Sequence, residues 1–100
     1  MTPSIAFIGV GNMARAIFSG MLASGYPADK IIGTSRTPEK RDYYHERYGI
    51  TMFADNHLAV ETAEIVVLCV KPAQIKAVVE EFSEEVRSDQ LFISVAAGVE

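Results

Sequence analysis

The sequence predicts an α/β domain: a doubly wound parallel sheet between two layers of helices, three layers in a single domain. Three observations predict it. Apolar strand-like runs alternate with helical segments along the whole chain, with no linker and no internal repeat. Two of those runs, Ser4–Ile8 after its leading serine and Ile65–Val70, are continuously apolar rather than alternating, as strands covered on both faces are. Finally, the first run passes through a tight glycine turn directly into a helix, in the stretch Ile5-Ala6-Phe7-Ile8-Gly9-Val10-Gly11-Asn12-Met13-Ala14-Arg15-Ala16-Ile17.

The spacing Gly9-x-Gly11-x-x-Ala14 is a dinucleotide-binding fingerprint with Ala in place of the third Gly, and it makes the expected sheet Rossmann-like. Gly9 permits the sharp strand-to-helix turn. Gly11 has no Cβ to hold a pyrophosphate away from the backbone, and Ala14 lets the helix lie close on the strand. The unpaired N–H groups at the helix start, around Asn12 and Met13, face an anion with the favourable end of the helix dipole.

The elements follow in order. Ser4–Ile8 is the first strand. A helix runs from Asn12 to about Ser24, with Met13, Ala16, Ile17, Gly20 and Met21 expected on one face; Gly25 and Pro27 stop it. Lys30–Ser35 is the second strand. Thr37-Pro38-Glu39 gives an N-cap, a proline at the first helical position and an acid in the first turn, opening a helix that runs to about Tyr48 and ends at Gly49. Ile50–Phe53 is a short third strand, and Asp55 or Asn56 caps a brief helix over His57–Thr62. Ile65–Val70 is the fourth strand. Lys71-Pro72 turns into a helix reaching about Phe82, and Leu91–Val95 is the fifth strand, followed by Ala96-Ala97-Gly98. Strands separated by helices imply right-handed parallel crossovers.

Composition narrows the function classes. One hundred residues make one domain, which buries roughly two thirds of its unfolded surface. With 49% hydrophobic and 22% charged residues, the chain is a folding one rather than a disordered one. A net charge of −4 gives nonspecific nucleic-acid binding no electrostatic support. No apolar run approaches the ~20 residues of a membrane span, and no basic, cleavable leader is expected. The single cysteine, Cys69, allows neither a disulfide framework nor a cysteine-based metal cluster within the chain, and no metal site is expected. A cytoplasmic address is the expectation. The first residues enter the first strand at once and the chain stops at Glu100 just after a strand, so the expectation is the cofactor half of something longer.

The end of the second strand discriminates between cofactors. An Asp or Glu about 20 residues beyond the glycines would accept the adenosine ribose hydroxyls of NAD. Here the strand ends Thr34-Ser35-Arg36-Thr37, with no acid before Glu39. A hydroxyl and a guanidinium suit a 2′-phosphate, so NADP (NADPH) is expected over NAD.

Three blocks then carry a family resemblance: Ile8–Ile17 with Gly20, Leu22, Ser24 and Gly25 behind it, Val67-Leu68-Cys69-Val70-Lys71-Pro72, and Ile93-Ser94-Val95-Ala96-Ala97-Gly98-Val99. In order and content they closely resemble pyrroline-5-carboxylate reductase, and they span essentially the whole chain. The resemblance implies an enzyme that reduces 1-pyrroline-5-carboxylate to L-proline with hydride from NAD(P)H, in proline biosynthesis. It also implies a Rossmann N-terminal domain, here residues 1–100, and an all-helical C-terminal domain, absent from this chain, that dimerises and binds the substrate. On that footing the complete enzyme is a homo-oligomer acting on a small molecule, and the fragment alone is inactive. Gly9, Gly11, Asn12 and Met13 would surround the pyrophosphate, Ser35 and Arg36 would meet the 2′-phosphate, and Asn56 would sit by the adenosine ribose. Val70, Lys71 and Pro72 would line the nicotinamide side, with Ala96, Ala97 and Gly98 beyond them. One detail departs from the family: Ala73 separates Pro72 from Gln74, where many members have Gln directly after the proline, so Gln74 receives no role.

No catalytic residue is assigned. Lys71 stands at the carboxyl end of the fourth strand, where ligands sit in open α/β sheets, and suits a cofactor-facing loop better than a proton donor. His45 and His57 read as structural or solvated, and Cys69 as a core thiol with no neighbouring base. Tyr43, Tyr44 and Tyr48 fall at spacings suited to packing. Two other readings of the residues stay open at this point: the cofactor domain of another NADP-dependent oxidoreductase, such as a β-hydroxyacid dehydrogenase or a cofactor reductase, and a non-catalytic nucleotide-sensing module.

Overall fold

In the computed structural model, residues 2–69, 77, 80 and 90–94 are described. Five strands form one sheet: β1 (Ile5–Ile8), β2 (Ile31–Thr34), β3 (Thr51–Phe53), β4 (Ile65–Leu68) and β5 (Leu91–Ser94). Their order is β3-β2-β1-β4-β5, and every pairing is parallel. Between them lie α1 (Asn12–Ala23), α2 (Pro38–Tyr48) and α3 (Asn56–Thr62), with a 3-10 turn at Ala28–Lys30 leading into β2. Ala77 and Glu80 are helical, within the segment expected as the next helix; the rest of that segment and Val95 lie outside the described residues. The strands are shorter than expected by a residue or so at their ends, because Ser4, Lys30, Ser35 and Ile50 lie outside the ladder.

Alternation along the central strands divides the core in two. Ala6, Ile8, Ile32, Val66 and Leu68 face α3 and bury Ala59, Val60 and Ala63. Phe7, Val10, Ile31 and Val67 face α1 and α2 and bury Ala14, Phe18 and Tyr44. Helices on both faces of a parallel sheet give the three-layer arrangement the alternating pattern predicts.

The buried face of α1 is not the expected one. Ala14 and Phe18 are buried, and Ile17, Met21 and Leu22 pack beside them, whereas Ala16 and Gly20 are exposed. Phe18 decides the rotation. Its ring sits edge-on to Phe7 at 5.7 Å, Tyr44 at 6.0 Å and Tyr48 at 5.2 Å, burying far more apolar area than alanine and glycine could. Tyr44 and Tyr48 therefore pack as expected, while Tyr43 lies half exposed with its edge against both. Among the described residues no helix is long and apolar enough to cross a membrane.

Candidate cofactor site

The site forms where the chain direction across the sheet reverses. From β1 the chain winds outward through β2 and β3, then crosses back to β4 on the other side of β1. In open α/β sheets the crevice beyond the carboxyl ends of the strands at that reversal takes the ligand. The Gly9 turn, the Ser35-Arg36 loop and the start of α3 leave β1, β2 and β3 at that same edge.

Gly9 has φ +83°, a left-handed conformation that a Cβ would strain, so its assigned role in the turn holds. Gly11 has φ −143° and ψ −154°, extended backbone open to any residue. Its lack of a side chain is therefore a matter of space alone: a Cβ built there meets nothing within 4 Å. That open volume lies against the start of α1, where no side chain caps the helix and no acid occupies the first turn. The N–H groups of Asn12 and Met13 thus keep their electropositive end free of a protein carboxylate. Ala14 is wholly buried against β1, as the fingerprint requires.

Thr34, the last residue of β2, fixes this turn. Its buried hydroxyl accepts the Gly9 N–H at 2.9 Å, and its carbonyl accepts the Val10 N–H at 2.9 Å. The preceding Gly33 makes room: a Cβ there would stand 2.7 Å from Val10 Cγ2 and 2.7 Å from Met52 Sδ. Neither residue's role was legible beforehand. The only signal for Thr34 is a hydroxyl ending an otherwise apolar strand.

Beyond Thr34 the chain turns sharply. Ser35 donates its N–H to the Phe53 carbonyl at 3.1 Å, accepts the Thr37 N–H on Oγ at 3.2 Å, and accepts Arg41 Nη1 on its carbonyl at 2.8 Å. Thr37 is the N-cap residue of α2, but its side chain makes no cap bond. Arg36 is exposed, and with the half-buried Ser35 it follows directly on the end of β2. Asp55, not Asn56, caps α3, accepting the His57 N–H on Oδ1 at 2.9 Å; Asn56 is the first helical residue, at the end of β3. An open surface cleft of about 310 Å³ lies between α2 and β3, lined by Arg41, Asp42, His45, Thr51 and Met52. His45 Nδ1 bonds to the Ile50 carbonyl at 2.9 Å there, which suits the structural role expected for it.

Cys69 follows β4, half-buried against the aromatic side of the core, and donates its N–H to the Ile8 carbonyl at 3.0 Å. Burial pushes its thiol up to about 11, which keeps it protonated and unreactive at neutral pH. Val70, Lys71, Pro72, Ala96, Ala97 and Gly98 lie outside the described residues, so of the predicted site only Gly9, Gly11, Asn12, Met13, Ser35, Arg36 and Asn56 are described.

A family model described as NADP oxidoreductase coenzyme F420-dependent matches residues 4–98. The chain belongs to that family. Within it, the chain is 40% identical over 98 residues to a pyrroline-5-carboxylate reductase of Pseudomonas aeruginosa, covering 98% of this chain and 36% of the relative. To the Pasteurella multocida enzyme of the same name it is 46% identical over 99 residues, covering 96% and 36%. The solved structure of a pyrroline-5-carboxylate reductase from Coxiella burnetii superposes with a TM-score of 0.90 at 42% identity, covering all of this chain and 37% of that one. The resemblance read from the three sequence blocks is thereby borne out, as is the Rossmann-like sheet. The chain spans a little over a third of the length of these relatives.

Proposed function

We propose that this chain is the NADPH-binding domain of a pyrroline-5-carboxylate reductase, an oxidoreductase of proline biosynthesis. The observation that carries the proposal is the pairing of open space at Gly11 with an uncapped, acid-free helix start. Together they offer room and a positive field for a pyrophosphate. The substrate comes from the likeness to reductases at 40% and 46% identity. When bound, the cofactor supplies hydride for the C=N bond of 1-pyrroline-5-carboxylate. Gly9 and Thr34 hold the turn, Gly11, Asn12 and Met13 surround the pyrophosphate, and Asn56 sits by the adenosine ribose. Ser35 and Arg36 take the 2′-phosphate, in a loop that lacks the acid an NAD site would use. Val70, Lys71, Pro72, Ala96, Ala97 and Gly98 complete the nicotinamide side.

In this proposal the substrate is held by a separate helical domain, the complete enzyme is a cytoplasmic homo-oligomer, and residues 1–100 alone do not turn over. Holding both reactants in a reactive pose is worth roughly 7–11 kcal/mol of barrier, and a cofactor domain supplies only one wall of that site. The test follows NADPH absorbance with 1-pyrroline-5-carboxylate, using this chain alone and joined to the remaining two thirds of a close relative. Turnover only by the joined protein is expected. Equal turnover by the chain alone would place the catalytic groups in the wrong domain, and none by either would remove the assigned substrate.

A further inference from the structure

We propose that Arg41 is a positioning residue for cofactor selection: its bond to the Ser35 carbonyl holds the loop that presents donors to a 2′-phosphate. The inference rests on the NADPH reading of that loop and adds to it a residue that does not touch the cofactor. Arg41 lies one turn into α2, with its own N–H on the Thr37 carbonyl at 3.1 Å. Helical side chains lean toward the N-terminus, so a long one at this position reaches back over the first turn. Its Nη1 meets the Ser35 carbonyl at 2.8 Å, a charge-assisted bond.

The consequence is geometric. The peptide joining Ser35 to Arg36 is trans and planar, so fixing its carbonyl toward α2 turns the Arg36 N–H the opposite way. Ser35 Oγ already accepts from the Thr37 N–H, which leaves its own proton for an external acceptor. The loop thus carries three donors: the Ser35 hydroxyl, the Arg36 N–H and the Arg36 guanidinium. The direction of the Arg36 N–H follows from the carbonyl that Arg41 holds. Helix formation gives no reason for the placement, because a cation near a helix N-terminus opposes the dipole.

The experiment measures NADPH and NADH affinity for the parent chain and for Arg41→Met, Arg41→Lys and Arg36→Met, at low and high salt. Arg41→Met keeps the apolar stem and removes the donor. It is expected to weaken NADPH about tenfold while NADH changes less than about twofold. Arg41→Lys, which retains a cationic donor, should recover part of the loss. Because Arg41 is not in contact with the phosphate, the salt dependence of NADPH binding should persist in Arg41→Met and shrink in Arg36→Met. Equal loss of both cofactors in Arg41→Met, or a shrunken salt dependence, would overturn the positioning role. So would unchanged NADPH binding in Arg41→Met beside a large loss in Arg36→Met, and in that case the 2′-phosphate reading stands. If Arg36→Met leaves the NADPH-to-NADH ratio untouched, that reading itself fails.

Discussion

Replacing Thr34 by valine removes one hydroxyl while leaving the shape of a wholly buried side chain nearly unchanged. The hydroxyl accepts the Gly9 N–H at 2.9 Å, whereas the second bond between the strand end and the turn, Val10 N–H to the Thr34 carbonyl, survives the change. No cavity opens, so the cost is that of a donor left facing a methyl group, about 1–3 kcal/mol when fully buried. Gly9 is only part-buried and water reaches it, which places the expected cost at about 1–2 kcal/mol. For a domain of this size each kcal/mol lowers Tm by roughly 4–8 °C. The freed turn also presents its N–H groups less well, so NADPH affinity should fall about fivefold or more. Thr34→Ser is the control: it keeps the hydroxyl and loses a buried methyl, at about 0.5–1.5 kcal/mol. Thermal melts followed by circular dichroism and fluorescence titration with NADPH read both quantities. A valine variant that melts within 2 °C of the parent and binds NADPH as tightly would refute the clamp, and so would a serine variant that loses more affinity than valine.

Three further outcomes follow from the same geometry. Gly11→Val should melt like the parent, since its backbone is extended and a Cβ meets nothing within 4 Å, yet fail to bind NADPH; normal binding would remove Gly11 from the phosphate. Gly33→Ala should lose about 1–3 kcal/mol, because its methyl would press on Val10 and Met52, and a melt unchanged from the parent would show that Val10 yields freely. Cys69, held protonated up to about 11 against an ordinary 9.0, retains a proton that the unfolded chain releases; this contribution to stability is therefore complete below pH 9 and declines between pH 9 and 11. Alkylation of the native chain by iodoacetamide should stay slow at pH 9, and a rate there equal to that of the unfolded chain would contradict the burial.

The sequence carried the strand-turn-helix opening clearly because both its apolar run and its small residues are local signals. The sheet followed from alternation, and Pro38 and Gly49 marked the ends of α2 by local backbone preference alone. What escaped were features set by register. Counting Ala16 and Gly20 as apolar suggested the wrong face of α1, because hydropathy does not know that Phe18 finds three rings waiting across the layer. Thr34 and Arg41 act on residues far along the chain or through a loop whose shape depends on β3. Thr34 meets Gly9 only because β1 and β2 pair Phe7 with Gly33. Arg41 reads as one more charge on a polar helix until the Ser35 carbonyl is seen beside it.

The central claim is that the loop after β2 selects a 2′-phosphate. Calorimetric titration of this chain with NADPH and NADH, repeated on Arg36→Asp, tests it most directly. One site per chain is expected, at least tenfold tighter for NADPH, with the preference erased or reversed when the guanidinium becomes a carboxylate facing the phosphate. Equal affinities for the two cofactors in the unmutated chain would contradict it.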